Sequence, residues 1–458
     1  MQLITKDRAF YKKVLLLAVP IAMQSLITIG VNMLDTIMIG RLGEMKLSAT
    51  SLANQFITIY HIFCMGLGMG ASVLVSRYWG MRTNDKEKAE NALKTTVCIM
   101  IRLTVGLGLI FALLTLFIPE SIMGMYTNKD EIISLGVIYF RYSVITYFFL
   151  GLSLVCTIVL RCVGQVKLPL FVSIGAFFVN LGANYIFIFG KCGMPRMEVA
   201  GAAIGTLIAR VFEASVICGY LLLKDDKIGF RIKNLWMKTG NLLGEYIRIS
   251  IPVLISDGIL AIGNNSVAMV IGRLGVTFVA ANAITSVTQQ MSTVLIQGVS
   301  QAGAIVTGQT LGEGDKEKTI NQAHGFLGLG IMLGLFSAFF ILVTSEPIIR
   351  SYQVSEETAH VARQLMDAIS LIIVFQAMNS IMTKGVLRGG GDTKMLMVTD
   401  NIFLWVLSIP MGIIAGLVLH LPAFWIYICL KFDQIAKAIW CVLRLRSGKW
   451  IKKISTGN

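Results

Sequence analysis

Residues 20–43 read PIAMQSLITIGVNMLDTIMIGRLG, and residues 252–275 read PVLISDGILAIGNNSVAMVIGRLG. The two segments share the opening proline, the closing Ile-Gly-Arg-Leu-Gly and an asparagine, which is Asn32 in the first segment and Asn264 in the second. The shared pattern predicts that the chain consists of two related halves. In a strongly apolar protein, two related halves are typical of two helix bundles with a substrate path between them.

Two more motifs recur in the same order. Asp-Lys-Glu-Lys occupies residues 85–88 and returns at 315–318. A Leu-Arg pair, followed by a glycine and a lysine at the same spacing, begins at Leu160 and again at Leu387. The repeat therefore extends well beyond the first helix of each half and favours an internal duplication.

The composition is that of a membrane protein. Hydrophobic residues make up 55% of the chain and charged residues 14%, against about 25% charged in an ordinary soluble domain. Crossing a hydrocarbon core of ~30 Å takes about 20 apolar residues in a helix, and runs of that length predict helices rather than a barrel. The predicted spans are residues 14–38, 48–76, 91–118, 132–159, 168–190, 199–223, 244–271, 280–310, 322–345, 359–386, 396–419 and 422–443.

The predicted fold is an all-α polytopic membrane protein with about 12 transmembrane helices in two six-helix lobes. With six spans in each half, both halves enter the membrane from the same side, so the repeat is parallel and its axis runs along the membrane normal. The predicted lobes are residues 1–223 and 244–458. Residues 224–243 form the predicted cytoplasmic connecting loop.

Basic residues predict the orientation. Lys and Arg are about three times as frequent in the loops on one side, including the tail from Lys431 to Lys453, as in those on the other. Cytoplasmic loops carry this excess, so both termini are expected in the cytoplasm and the protein in the plasma membrane. The net charge of +15 is spread over loops without an aromatic platform. It indicates contact with anionic lipid headgroups rather than with nucleic acid.

Several classes of function lack their sequence signals. The eight cysteines are scattered without CxxC or Cys/His spacing, so neither a zinc site nor a disulfide framework is indicated. A Walker A motif is absent, which leaves an ion gradient as the expected energy source and no cofactor. An intramembrane enzyme would need a catalytic pattern such as HxxxH or GxSxG, and neither occurs. The sequence favours a transporter over an enzyme.

Polar residues mark a candidate site in the first half. Side chains inside a bilayer that can ionise are costly and therefore face a cavity or a partner. Asp35 ends a series of polar residues at three- or four-residue steps, which places the series on one helix face. The members of this face are Gln24, Thr28, Asn32 and Asp35. The predicted substrate-cavity residues of this half are Gln24, Thr28, Asn32 and Asn54, and its further polar groups are Asn180, Asn184 and Thr206.

The second half carries its own polar stripes. Asp257 begins a stripe in the seventh span, and other polar residues follow in the eighth and tenth spans. Stripes of this length are expected to line a substrate cavity or a helix contact. The predicted cavity residues of this half are Asp257, Asn264, Gln289, Thr293, Gln297, Gln376 and Asn379. In the sixth span, Arg210 and Glu213 lie one turn apart and are expected to neutralise each other.

With these motifs, the chain resembles the multidrug and toxic compound extrusion (MATE) family over essentially its full length. The residues that carry the resemblance are Pro20, Gln24, Asp35, the glycines and serine within 66–72, and the Gly-Arg-Leu-Gly and Leu-Arg-Gly motifs. In that family two six-helix lobes form a central cavity, and rocking between them exports cationic and amphiphilic compounds against inward flow of protons or sodium. The resemblance implies the same fold and activity here.

The resemblance also implies roles for individual residues. Asp35 is the implied cation-coupling carboxylate, with Asn180, Asn184 and Thr206 as its neighbours and with sodium or a proton as its ligand. Some relatives have a second acid where this chain has Asn184. The NorM-type branch has a carboxylate in the tenth helix where this chain has Ala377, so the DinF-type branch is the better match.

Two functions from the same fold stay open at this point. The first is a cation-coupled antiporter for cationic or amphiphilic drugs and metabolites, working as a monomer on small-molecule substrates. The alternative is a flippase for a lipid or a lipid-linked oligosaccharide. A flippase is expected to place several Lys or Arg residues in its cavity to meet phosphates, whereas the polar stripes here hold Asp, Asn and Gln.

Overall fold

The computed structural model describes residues 7–352 and 354–453. The first half consists of α1 (Arg8–Gly40), α2 (Glu44–Met81), α3 (Lys86–Phe117), α4 (Pro119–Gly124), α5 (Asp130–Ser143), α6 (Thr146–Cys162), α7 (Lys167–Phe189), α8 (Glu198–Gly219) and a π-helical turn at Tyr220–Lys224. The connecting loop contains a 3₁₀ helix at Ile232–Trp236. No strand occurs in these two ranges, and the predicted all-α fold is confirmed.

The second half repeats this plan with more irregular helices. It consists of α9 (Leu242–Arg273), α10 (Val276–Gly312), α11 (Lys316–Ser351), α12 (Glu356–Ser380), α13 (Thr393–Ile402), α14 (Ile409–Ile413), α15 (Ala423–Leu430) and α16 (Phe432–Arg446). Single π-helical segments, which are often found at functional sites, follow three of these helices at Ile381–Leu387, Phe403–Ser408 and Ile414–Val418.

Each predicted span coincides with a helix or with consecutive helices. Among the described residues, nine helices are long and apolar enough to cross a membrane, and a tenth span is the pair α5–α6, which is bent by 59°. The other two predicted spans are helical but more polar. Residues 280–310 lie in α10 with its polar stripe, and residues 422–443 are interrupted at Lys431 between α15 and α16. The fold is therefore a two-lobe arrangement of 12 transmembrane helices.

Glycines explain why the repeated motifs are alike in sequence. Gly43 and Gly275, which close the Ile-Gly-Arg-Leu-Gly pentapeptides, have φ angles of 108° and 110°. Gly164 and Gly391 in the Leu-Arg motifs have φ angles of 77° and 87°. Side chains with a Cβ rarely adopt positive φ, so each duplicated turn between helices requires glycine.

The repeated Asp-Lys-Glu-Lys motif is a helix N-cap in both halves. Asp85 accepts a hydrogen bond from the backbone nitrogen of Lys88 at 3.2 Å, and Asp315 accepts one from that of Lys318 at 2.8 Å. A capping carboxylate of this kind stabilises a helix by about 1 kcal/mol. The motif is therefore kept for local helix structure rather than for transport chemistry.

Packing divides the chain into two compact units, with limits inside α1, α2 and α9 and in the turn before α3. The N-terminal unit comprises Met23–Trp79 and Asp85–Ser250. The C-terminal unit comprises α1 up to Ala22, the turn Gly80–Asn84 and the chain from Ile251 onward. The limits in α1 and α9 differ from the predicted lobe boundary at 224–243 and fall within three residues of Pro20 and Pro252. A proline removes a backbone hydrogen bond inside a helix.

Aromatic side chains form the core of the N-terminal unit. Tyr60 is fully buried, stacks edge-on against Tyr147 at 5.1 Å and donates its hydroxyl to the Tyr147 backbone oxygen at 2.7 Å. Phe56 packs against Phe140 of α5 in the same cluster. These contacts hold α5 and α6 against α2, and α5 also carries Tyr139, which belongs to the candidate site.

Candidate functional site

Asp35 lies in the last two turns of α1 and is bound by an amide of α7. The Nδ2 atom of Asn184 donates to Asp35 Oδ1 at 2.6 Å and to Asn180 Oδ1 at 3.2 Å. Asn180 and Asn184 are both buried, and Asp35 is half-buried. The structure therefore brings together three of the four residues that the resemblance implies, with the two hydrogens of one amide group connecting them.

Small residues of α8 leave room for the side-chain amide of Asn184. A Cβ atom at Gly205 would lie 2.0 Å from Asn184 Oδ1, and one at Gly201 would lie 2.5 Å from the backbone of Phe187. Glycine lets two helices approach closely in a membrane. The Gly201–Thr206 segment therefore packs α8 closely against the face of α7 that carries Asn184.

A second layer of hydrogen bonds surrounds this centre. The hydroxyl of Tyr139, a buried residue of α5, donates to Asn54 Oδ1 at 3.1 Å. The Thr206 side chain of α8 lies near the same hydroxyl. Thr206 therefore reaches the site through Tyr139, and Asn54, predicted as a cavity residue, belongs to this layer.

Charge near Asp35 comes from one arginine that is already paired. Arg210 forms an ion pair with Glu213 at 2.7 Å, which confirms the predicted pair, and it also acts on Asp35 electrostatically. In the described ranges Asp35 makes no ion pair of its own. A half-buried carboxylate held by one amide group, with no fixed cation on it in the described ranges, can accept a proton or a small cation.

Arginines at the ends of helical segments bind polar residues of α1 and α9. Arg161 donates from Nη2 to Gln24 Oε1, and Gln24 Nε2 donates to Ser173 Oγ at 3.3 Å. In the second half Arg388 donates from Nη2 to Asp257 Oδ1 at 3.4 Å. The arginines are those of the repeated Leu-Arg motifs. Gln24 and Asp257, predicted as cavity residues, are thus bound by the Leu-Arg motifs of their own units.

The other polar residues of the predicted cavity fall into two groups. The exposed group, none of which is hydrogen-bonded to Asp35 in the described part of the chain, consists of Thr28, Asn32, Asn264 and Gln297. Thr28 donates back to the Gln24 backbone oxygen at 3.0 Å. In the stripe of α1, Gln24 and Asp35 are hydrogen-bonded to other helices. Thr28 and Asn32 are exposed and therefore accessible to a ligand.

The second group makes separate hydrogen bonds within the C-terminal unit. Gln289 Nε2 donates to Gln376 Oε1 at 2.9 Å, and the Tyr427 hydroxyl donates to Gln289 Oε1 at 3.2 Å. Asn379 Nδ2 donates to Gln434 Oε1 at 2.8 Å. Thr293 is buried and donates to the backbone oxygen of its own helix at 3.0 Å. Of the residues predicted in this half, the structure joins Gln289 to Gln376.

Three buried ionisable residues of the second half were missed by reasoning from sequence. Asp400, Asp433 and Lys437 are each at least 95% buried and lie within reach of one another. Lys437, predicted as part of the basic tail, is buried inside α16, where two carboxylates compensate its charge. The available signal was that all three residues fall inside the apolar spans 396–419 and 422–443, where ionisable groups indicate function.

Comparison with known proteins agrees with this geometry. The MatE family model matches residues 20–186 and 252–414. A probable multidrug resistance protein NorM from Thermotoga maritima is 24% identical over 443 residues, covering 96% of this chain and 93% of that protein. The multidrug resistance protein MdtK of Yersinia pseudotuberculosis is 24% identical over 464 residues, covering 97% and 96%.

Solved structures show the same fold. A multidrug resistance MATE family transporter of the MOP superfamily, solved in an outward-facing conformation, superposes with a TM-score of 0.85 at 20% identity and covers 97% of this chain and 99% of that chain. The matched family segments begin at Pro20 and Pro252, the same two prolines that open the internal repeat. The chain therefore belongs to the MatE family of transporters.

Proposed function

We propose that this protein is a cation-coupled antiporter that exports cationic or amphiphilic drugs and metabolites. The observation that carries the proposal is the Asp35 centre, where an ionisable group inside a predicted span is held by the Asn184 amide and has no ion-pair partner in the described ranges. Such a group costs about 2.5–3.5 kcal/mol to place in a membrane. In a transporter this free-energy cost is offset when the group binds a cation during each cycle.

In this mechanism the Asp35 carboxylate interacts alternately with the substrate and with the coupling cation. When Asp35 is ionised, its charge favours a cationic substrate among the exposed polar groups of α1. When Asp35 takes up a proton or sodium, that attraction is lost and the substrate is released. The two ligands therefore compete through their difference in affinity for two conformations. Alternating access of the two lobes, with a local change of α1 near Pro20, completes the cycle.

The names of the relatives and the buried charges support a drug rather than a lipid as cargo. Two relatives carry multidrug resistance in their names. A flippase needs free cations to meet phosphate, but Arg210 and Arg388 are already paired with acids, as is Lys437. Asp35, in contrast, is free to meet a cation. The chain fits the DinF-type branch, because Asp35 has its amide neighbours while Ala377 replaces the acid of the tenth helix.

Substrate preference gives the first test. Purified protein in liposomes is expected to export a fluorescent dye cation, and neutral or cationic amphiphiles are expected to compete with that dye. Phosphorylated or sulfonated analogues of similar size are expected to compete at least about tenfold less well, because like charges on Asp35 and the ligand repel each other. Competition by anionic lipid headgroups alone would favour the flippase instead.

Topology gives a second test, since we propose a plasma-membrane protein with both termini in the cytoplasm. Single cysteines in place of Asp85 and Asp315, in a cysteine-free background, are expected to react with an impermeant maleimide only from the cytoplasmic side. Cysteines in place of Lys129 and Glu356 are expected to react only from outside. The two aspartates cap helices, so their loss costs about 1 kcal/mol each. Labelling of positions 85 and 315 from opposite sides would rule out the parallel repeat.

A further inference from the structure

A buried lysine lies between two buried aspartates in the C-terminal unit. Lys437 Nζ is 3.0 Å from Asp433 Oδ2 and 3.4 Å from Asp400 Oδ1. Asp433 and Lys437 are one turn apart on α16, and Asp400 lies on α13. The side chains of Lys437, Asp400 and Asp433 are 3%, 8% and 3% exposed. The ammonium is thus bound by carboxylate oxygens from two helices.

Neighbouring hydroxyl and amide groups hold both carboxylates. Ser408 Oγ donates to Asp433 Oδ1 at 3.0 Å, and Gln434 Nε2 donates to Asp433 Oδ2 at 2.7 Å. Ser256 Oγ of α9 lies 3.5 Å from Asp400 Oδ2. Each aspartate therefore keeps a defined position through contacts that do not involve the lysine. A site whose oxygens are fixed in this way remains in place when its occupant changes.

One more buried oxygen lies on the same chain of hydrogen bonds. Asn379 is 7% exposed, and its Nδ2 atom is used by Gln434. Its Oδ1 atom has no hydrogen-bond partner in the part of the chain that the structure describes. A buried carbonyl oxygen without a donor is costly. The hydrogen bonds that position Asp433 therefore extend through Gln434 to Asn379, a buried polar side chain that is only partly satisfied by the described residues.

Other ionisable groups around the cluster are few and are accounted for. Lys431, between α15 and α16, acts on Asp433 and Lys437 only electrostatically, without an ion pair. Tyr427 and Cys441 are the remaining ionisable neighbours on these two helices. Other charged groups on the helices packed around α16 are either paired or exposed. Arg388 pairs with Asp257 and Arg444 with Asp392, whereas Asp367 and Lys384 are exposed.

The ligand types in this cluster indicate its function. Two carboxylates with hydroxyl and amide oxygens are ligands that hard cations prefer. An ion pair buried this deeply contributes little net stability, because desolvation offsets the attraction. A chain that needed only packing here would use apolar residues. The cluster therefore has the composition of a cation site that holds the ammonium of its own lysine.

We propose that Asp400 and Asp433 form a site for a small monovalent cation in the C-terminal unit and that Lys437 is its built-in occupant. The consequence, which rests on the proposed function, is that exchangeable cations act only at Asp35. In the Asp35 centre the carboxylate has no fixed cation, whereas in the C-terminal unit the cation cannot leave. Lys437 would then set the number of ions that one transport cycle uses.

The experiment removes the built-in cation and offers others. Protein carrying Asp35→Asn, which eliminates the exchangeable site, is compared with Asp35→Asn/Lys437→Ala. Thermal unfolding of both is measured at one pH and one ionic strength in choline, sodium or methylammonium chloride. Sodium or methylammonium is expected to raise the unfolding temperature of the lysine variant by about 3 °C or more over choline, because a ligand that binds only the folded state stabilises it. The parent is expected to unfold at one temperature in all three salts.

Two further variants make the result specific. Adding Asp433→Asn to the lysine variant is expected to abolish the response to both cations. Lys452→Ala in the Asp35→Asn background removes another lysine from an aspartate, Asp392, which keeps Arg444 at 2.7 Å. This control is expected to show no response, because its carboxylate still has a cation.

Several results would overturn the proposal. One is an unfolding temperature of the lysine variant that is equal in the three salts. Others are an equal response in the parent and a response that survives Asp433→Asn. Failure to obtain the folded variant in any of the three salts would also overturn it, because the proposal requires free cations to replace the ammonium. The assay measures binding without transport, so its outcome does not depend on whether Asp35 carries coupling.

Discussion

The Asp35→Asn protein, reconstituted in liposomes, is expected to show no substrate efflux driven by a proton or sodium gradient. Asparagine keeps the size and the hydrogen-bonding capacity of the side chain but mimics the neutral state permanently. The asparagine side chain cannot release and rebind a cation, so the ion gradient is no longer coupled to substrate efflux. Moving one elementary charge down the membrane potential releases about 2.3 kcal/mol per 100 mV. The variant cannot use this free energy to drive efflux. Folding and insertion are expected to be intact, which size-exclusion chromatography would check.

Asp257→Asn is the matched control in the other unit. Asp257 is already paired with Arg388 at 3.4 Å, so it is not free to exchange a cation, and we expect this variant to lose at most about tenfold in efflux rate, a change of ~1.4 kcal/mol. Rates are compared per molecule of folded protein, because breaking the pair also lowers stability. Normal efflux from Asp35→Asn together with an inactive Asp257→Asn would show that coupling lies in the C-terminal unit.

Gly205→Ala is expected to disable the Asp35 centre without touching any charged residue. The added methyl would lie 2.0 Å from Asn184 Oδ1, so the amide must move away from Asp35 or α8 must separate from α7. A hydrogen bond to a charged group is worth about 1.5–3 kcal/mol. We therefore expect gradient-driven efflux to fall by about tenfold or more and stability to fall by about 1–3 kcal/mol.

Gly219→Ala supplies the control on the same helix. A Cβ atom at Gly219 would meet nothing within 4 Å, and replacing glycine by alanine in a helix is otherwise neutral or slightly stabilising. This variant should unfold at or above the temperature of the unmodified protein and should transport normally. Equal activity of the two glycine variants would mean that the position of Asn184 does not control the site.

Local sequence was sufficient for the helices and for the repeat. A run of apolar residues long enough to cross a membrane leaves the backbone no alternative to a helix, so the 12 spans could be read directly. The glycines at 43 and 275 recur because positive φ excludes other residues there. The Asp35 series could also be read, because a helix places residues three or four apart on one face.

Sequence alone could not show where the helices bend or are interrupted. The bend of 59° between α5 and α6 and the interruption at Lys431 both fall inside runs that read as single spans. The compact units also have limits within α1 and α9. Hydropathy reports the length of a span, but packing against other helices decides whether that span stays straight.

The amino-acid sequence by itself determined the helices, their duplication, the family and Asp35 as the residue of interest, since each of these depends on near neighbours along the chain. Only the tertiary structure decided the partners. It joined Asp35 to Asn184 of α7, Asp257 to Arg388, and Lys437 to Asp400 of another helix. Each such pair is many residues apart in sequence. Which buried charge meets a cation and which meets an amide is therefore decided by how the helices pack.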